Sequence, residues 1–373
     1  MCAFNLKRKT ILLLFLLLCL GFSACGRIWG GLKWVKNYNY YLYAVNQTSN
    51  TLSGFVIDPI FGTLNPIPGS PFATGNAPFT VAADPWGRFL YIGNSAAPHN
   101  IAAYTIDPST GIPTQTQTQG IVNGPHSVIV DPTGRFVYAN DGVGSIYSFT
   151  INSLDGSLSP IPVSTQATGA TPYGSAIDPT GQFIFVTNQA GNSVSSYVVN
   201  TSSGIPAPPS TTGGLNNPDI VSIHPNGQFV YVNNDALAGG INGYTNSSGS
   251  LTLIPGSPFT AVAGTDPKAE TFDPLGRFLI ATYSGASGGV FSYTVNAGTG
   301  VVTQVSSSGL GANIERPIVD PTGNFVYVTY FSGSISAYRI NTISGALMNL
   351  GSYPTNAGCL AIAIAQVPSP SNH

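Results

Sequence analysis

One short string recurs along this chain at an almost constant interval, and that recurrence restricts the fold more than any other feature. DPWGRFLYIGN begins at Asp84, DPTGRFVYAN at Asp131, DPTGQFIFVTN at Asp178, HPNGQFVYVNN at His224, DPLGRFLIATY at Asp273 and DPTGNFVYVTY at Asp320, at spacings of 47, 47, 46, 49 and 47 residues. A seventh copy, YYLYAVN over residues 40–46, lacks only the turn. A fixed period of this size marks a unit that cannot bury its apolar faces alone and must stack on its neighbours.

Within a unit the local signals are those of strands and turns. Asp at the first position of the motif can bond the backbone two residues on, Pro presets φ at the second, and Gly fills the fourth, the pattern of a type I turn. In the unit that contains Asp131, strand-like runs cover residues 126–130, 135–140, 145–151 and 157–163, and turns such as DPSTG at Asp107 join third to fourth strands. Helix formers are scarce while Gly, Thr, Ser, Asn, Tyr, Phe and Val abound, so the fold class is all-β. Only 7% of residues are charged. That excludes a nucleic-acid surface, which needs clustered cations. The two ends separate a closed ring from an open solenoid. The first unit lacks an innermost strand, and AGCLAIAIA from Ala357 supplies a spare one that aligns with APFTVAADP from Ala77. Residues 38–366 are therefore expected to form a single seven-bladed β-propeller of four-stranded blades, closed by pairing of the C-terminal strand with the N-terminal strands.

The first residues read as an address. Lys7, Arg8 and Lys9 precede an apolar run over residues 11–20, and Phe22-Ser23-Ala24 leads to Cys25. Ten apolar residues are too few to span a bilayer, which takes about twenty. FSAC resembles the bacterial lipobox, which implies a signal peptide over residues 1–24, lipidation of Cys25, a tether over residues 25–37 and a cell-envelope location with membrane contact only through the lipid. Residues 367–373 are left as a tail. Once the signal is removed, Cys25 and Cys359 remain. With Cys25 lipidated, no intramolecular disulfide can form.

Because the turns align the units, the residues that share a ring can be read directly. Five positions before the first residue of each turn stand Phe79, His126, Tyr173, Asp219, Lys268 and Glu315, and the closing strand contributes Cys359. Arg316 and Glu270 lie alongside. The chain has only two Glu, and both fall here. A channel mouth with His, carboxylates, Lys and Arg can hold a base, a binding cation and an oxyanion partner together. The same residues also suit plain solvation of a water-filled channel. No two His or Cys have zinc spacing, so no metal is expected, and no cofactor motif is present. Gly285-Ala286-Ser287-Gly288-Gly289 fits G-x-S-x-G but lies between strands, where no nucleophile elbow can form.

The DPTGRFVYAN repeat, the TIDPSTG and GSPF connections and the seven-unit layout resemble the seven-bladed propeller lactonases, which include propeller-type 6-phosphogluconolactonases and carboxymuconate cyclases. FVTNQAGNSVSSY from Phe185 is equally similar to the YVTN repeat of surface-layer propellers. The lactonase resemblance matches GPHSVIVDP with His126, KAETFDP with Glu270 and ERPIVDP with Arg316. It implies that His126 and Glu270 act as acid and base and that Arg316 binds an anionic group, with Lys268, Glu315, Asp219 and Tyr173 as substrate contacts. Pro125 stands where the family has a second His, which leaves the substrate open. Two readings follow. One is an exported enzyme that hydrolyses a lactone or related cyclic ester. The other is a non-enzymatic envelope propeller that binds a ligand, glycan or protein.

Overall fold

The computed structural model describes residues 38–162, 164–235, 239–259, 265–309 and 312–369. The expected signal peptide, the lipidation of Cys25 and the expected tether fall on residues outside those described. Seven antiparallel sheets, each four strands deep and three of them with the rim position split between two short strands, form a seven-bladed propeller, and no helix occurs among the described residues. We number the blades in ring order. Their innermost strands are Cys359–Pro368, Pro78–Ala83, Pro125–Val130, Pro172–Ile177, Pro218–Ile223, Asp266–Phe272 and Ile314–Val319. Blade one thus takes its inner strand from the C-terminus: Cys359–Pro368 pairs with Tyr38–Asn46, with Tyr41 opposite Ala365 and Tyr43 opposite Ala363. The strand runs on to Pro368, two residues past the expected propeller end.

The outermost strands differ from expectation in some blades. Residues 157–163 do not form one strand; Leu158–Pro160 and Gln166–Ala167 pair separately with Ser145–Ile151. Pro160 and Pro162 cannot donate to a ladder, so the rim strand breaks there.

Seven apolar clusters fill the ring, each shared between two adjacent blades. Leu42, Phe55 and Leu64 of blade one pack with Phe325, Tyr327 and Ile335 of blade seven, so the seam is as apolar as the other joints. Two repeated devices lock the joints. The Phe or Tyr that opens each second strand lies against a left-handed Gly in the next blade's turn between third and fourth strands. Phe89 meets Gly156 and Phe229 meets Gly300, where a Cβ would lie 2.5 and 2.6 Å from the ring. Above it, a tyrosine hydroxyl donates to the same turn: Tyr91 to the Gly156 carbonyl (3.0 Å), Tyr231 to Gly300 (2.5 Å), and Tyr327 of blade seven to Gly62 of blade one (3.0 Å). The last of these closes the ring with the bond used elsewhere. Glycine is required twice over, by φ of 74° at Gly156 and by the ring above it.

The motif turn works as its residues suggest. Asp273 Oδ1 accepts from the Phe278 amide at 2.7 Å, its Oδ2 pairs with Arg277 at 2.9 Å, and Arg277 lies over Phe278. In blade five His224 replaces the Asp; its Nδ1 accepts from the Asn226 amide and its Nε2 meets the Gly276 carbonyl of the next blade. These turns and those between third and fourth strands form one face of the propeller. The starts of the inner strands form the other.

Candidate active site at the channel mouth

Each inner strand enters at the mouth face, and each enters with a bulge. The register against the second strand slips between Pro78 and Thr80, Pro125 and Ser127, Pro172 and Ser175, Pro218 and Val221, Pro267 and Ala269, and Ile314 and Pro317. The residues left out of the ladder are Phe79, His126, Tyr173 and Gly174, Asp219 and Ile220, Lys268, and Glu315 and Arg316. A bulge re-aims its extra residue away from the regular pleat. Six of the seven ring positions read from the repeat are bulge residues. The exception is Cys359, which pairs with Asn46, while Leu360 and Ala361 take the bulge in blade one. The expected alignment of the closing strand is one residue out, and Cys359 is a fully buried packing residue whose thiol burial pushes up to about 12.

A side chain from the neighbouring second strand clamps four of the bulges. Asn140 donates to the Tyr173 carbonyl, Thr187 to Asp219, Thr282 to Glu315 and Thr329 to Leu360, at 2.6–3.0 Å. The backbone leading into the bulges is strained: Ala77, Thr171 and Asn217, each directly before a Pro, have φ of 47°, 53° and 52°. For β-branched Thr171 that is a rarely adopted conformation.

The side chains converge. Phe79 stacks on His126 at 4.9 Å between ring centres, Tyr173 meets both edge-on at 5.6 and 5.4 Å, and the Arg316 guanidinium stands 6.0 Å over Phe79. Blades two, three, four and seven thus meet through these contacts. Burial raises the Tyr173 hydroxyl, and the nearby Arg316 opposes that shift. Gly142 leaves room for the imidazole, since a Cβ there would come within 2.5 Å of it. Lys268 is paired with Asp235 of blade five at 2.8 Å. Asp235 carried no signal in the motif alignment, because it lies in the loop after a second strand.

Burial dominates the electrostatics. It pushes Asp219 up to about 7, although Arg316 and Lys268 pull the other way. Glu315 is also raised by burial, against the same two cations. His126 is lowered by burial, with Arg316 adding to the effect and the Pro172 carbonyl opposing it. Three buried polar atoms here have no partner: His126 Nδ1, Asp219 Oδ1 and Glu270 Oε2. Glu270 sits apart from the aromatic cluster. Its Oε1 accepts from Ser222 at 3.4 Å, and burial followed by Asp219 drives its carboxyl well above the ordinary range. Among the described residues no hydrogen bond or ion pair joins Glu270 to His126 or Arg316, and no group of His, Cys, Asp and Glu could hold a metal ion.

Residues 34–130 and 123–212 match the family described as lactonase, 7-bladed β-propeller. Over residues 34–212 the chain resembles that family. Solved structures agree on the propeller fold. A provisionally assigned 6-phosphogluconolactonase of Bacteroides uniformis superposes with a TM-score of 0.75 at 20% identity, over 88% of this chain and 99% of that one. A periplasmic gluconolactonase of Pseudomonas aeruginosa gives 0.74 at 18% identity, over 89% and 99%. Hydrazine synthase of Kuenenia stuttgartiensis gives 0.62 at 16% identity, over 77% and 89%. One architecture thus carries different chemistries. No curated protein matches the chain.

Proposed function

We propose that this propeller hydrolyses a lactone at the mouth that bears His126, Tyr173, Asp219 and Arg316. The observation that carries the reading is an unpartnered imidazole nitrogen in a bulge-built mouth, on a ring stacked against the same Phe79 that the Arg316 guanidinium faces. His126 is neutral at pH 7 and can take the proton of an attacking water. As the water oxygen bonds the ester carbon, Arg316 stabilises the oxyanion. Collapse breaks the ring C–O bond, and Asp219, near half-protonated at neutral pH, returns a proton to the leaving alkoxide. The product is the open hydroxy acid. Glu270, whose carboxyl burial pushes well above the ordinary range, bonds Ser222 and is not the base in this scheme.

The charge balance favours a neutral, sugar-like lactone over a phosphorylated one. Lys268 is taken up by Asp235, which leaves Arg316 facing Asp219 and Glu315. The Phe79, His126 and Tyr173 rings offer a surface for the apolar face of a sugar. We also propose that the protein is exported and acylated at Cys25, as its N-terminal residues suggest.

The test is a panel of neutral and phosphorylated aldonolactones, read by acid release. His126→Ala and Asp219→Asn should each lower kcat/KM by about 10²- to 10⁴-fold, and Ser287→Ala should leave it unchanged. If no lactone opens faster than in buffer, the enzyme reading fails, and the mouth is that of a binding propeller. Mass spectrometry of the mature N-terminus checks acylation.

A further inference from the structure

The face opposite the mouth carries most of the propeller's strongly exposed apolar side chains, and they are not spread evenly. Ile60, Phe61, Trp86, Leu154, Leu275 and Ile343 all occupy turns on this face, with Trp86 56%, Leu154 88% and Ile343 92% exposed. They belong to blades one, two, three, six and seven, which are contiguous around the ring. The corresponding turns of blades four and five show Thr180, Ser202, Asn226 and Ser248 to solvent. At the position after the motif glycine, blades two, three and six carry Arg88, Arg135 and Arg277, blades four and five Gln182 and Gln228, and blade seven Asn324, with Arg339 on its third strand. Arg88 and Arg277 are paired to the buried Asp84 and Asp273. With Asp58, Asp107, Asp131, Asp155 and Asp320 on the same turns, the arc holds seven Asp against four Arg, a formal net charge of −3, so its attraction to a bilayer rests on its apolar side chains and not on charge.

Blade one is the centre of this arc, and it is where the chain enters and leaves. Tyr38 pairs with Pro368 at the turn-face end of the seam. Beside it a groove of about 470 Å³ is lined by Trp86, Pro108, Leu154, Val367 and Pro368. Thirteen residues separate the turn face from the start of Cys25, a reach of at most roughly 45 Å. An acyl chain on Cys25 would keep this face close to a bilayer. Exposed aromatic and aliphatic side chains of this kind partition into the headgroup boundary, and arginines at such a boundary keep their heads in water.

We propose that the arc formed by Phe61, Trp86, Leu154, Leu275 and Ile343 is a lipid-contacting surface. It seats the propeller with the turn face on the membrane and the His126 mouth towards the aqueous phase. For its geometry the proposal leans on acylation at Cys25, but the affinity of the arc for lipid is measured without it.

The test uses the mature chain from residue 25 carrying Cys25→Ser, so that no acyl group is present, and vesicles of equal parts phosphatidylethanolamine and phosphatidylglycerol. Vesicle binding should weaken about tenfold or more in the combined Phe61→Asp, Trp86→Asp, Leu154→Asp and Ile343→Asp variant. It should be unchanged by Thr180→Asp with Ser202→Asp. All six positions are exposed, and thermal unfolding checks that each variant folds. Because Cys359 is buried, single cysteines placed by Leu154→Cys, Ile343→Cys or, at the mouth face, Val143→Cys can carry an environment-sensitive dye. A blue shift with vesicles at Leu154 and Ile343 but not at Val143 is the expected result. Equal binding by the aspartate variant, no shift at the turns, or a shift at Val143 would overturn the proposal. A missing acyl group on the native protein would fail the anchor reading alone.

Discussion

Asp219 and His126 set the expected pH behaviour at the level of single residues. In the scheme above His126 must be neutral and Asp219 protonated. Activity should therefore rise as His126 loses its proton below the usual imidazole value and fall as Asp219 ionises near pH 7. The pH profile of kcat/KM should be a narrow bell on the weakly acidic side, and residual activity in Asp219→Asn should lose the alkaline limb. Glu270 carries a stability prediction. Its folded value lies above 4.5, so the neutral carboxyl is the form the fold favours. The associated stability is fully present below pH 4.5 and is lost as pH rises through the folded value. Glu270→Gln should accordingly match the parent in thermal unfolding at pH 4 and exceed it at pH 9. A parent that gains stability with pH relative to this variant would contradict the assignment of a buried neutral acid. The repeat columns located both residues, Asp219 at the ring position of its blade and Glu270 two residues beyond that position in the next. Their separation into a mouth residue and a wall residue was not legible, since it depends on which side of a bulge each falls.

At the scale of strands and turns, the joint between blades rests on an aromatic ring over a glycine. Gly156→Ala places a methyl against Phe89 and forces φ of 74° on an L residue. The cost should be about 2–4 kcal/mol, from the left-handed backbone and the overpacked ring together. Denaturant unfolding would measure it, and a change below about 0.5 kcal/mol would show that the ring moves aside freely. Both partners are visible in the sequence, as the Phe after the DPTG turn and the Gly that ends DPSTG. Their pairing is not, because they sit on different blades, and a repeat aligned on itself shows columns rather than contacts. The clamps on the bulges are similar. Asn140, Thr187, Thr282 and Thr329 form a polar column inside apolar strands, a signal that was there to be read, but its target carbonyls belong to the following unit.

For the whole molecule the closing strand decides whether there is a ring. Removing residues 357–373 would strip blade one of its inner strand, expose the edge of Tyr38–Asn46 and uncover Ala361, Ala363 and Ala365 from the cluster shared with blade two. The truncated chain should lose cooperative unfolding or melt roughly 10 °C or more below the parent, as calorimetry would show. An unchanged transition would mean that the other six joints hold without closure.

The period, the turn residues and the unequal ends were enough, without coordinates, to determine an all-β ring of seven blades and its mode of closure, because each is a local or counting property of the chain. They also placed His126, Tyr173, Asp219, Lys268, Glu315 and Arg316 at one mouth. Only the tertiary structure decided that bulges turn these residues out of the ladder, that Lys268 is neutralised by Asp235, that Glu270 lies in the wall and that Cys359 falls outside the ring position. Each of those outcomes depends on a partner in another blade or on a one-residue slip of register, and neither leaves a mark in the residues on its own.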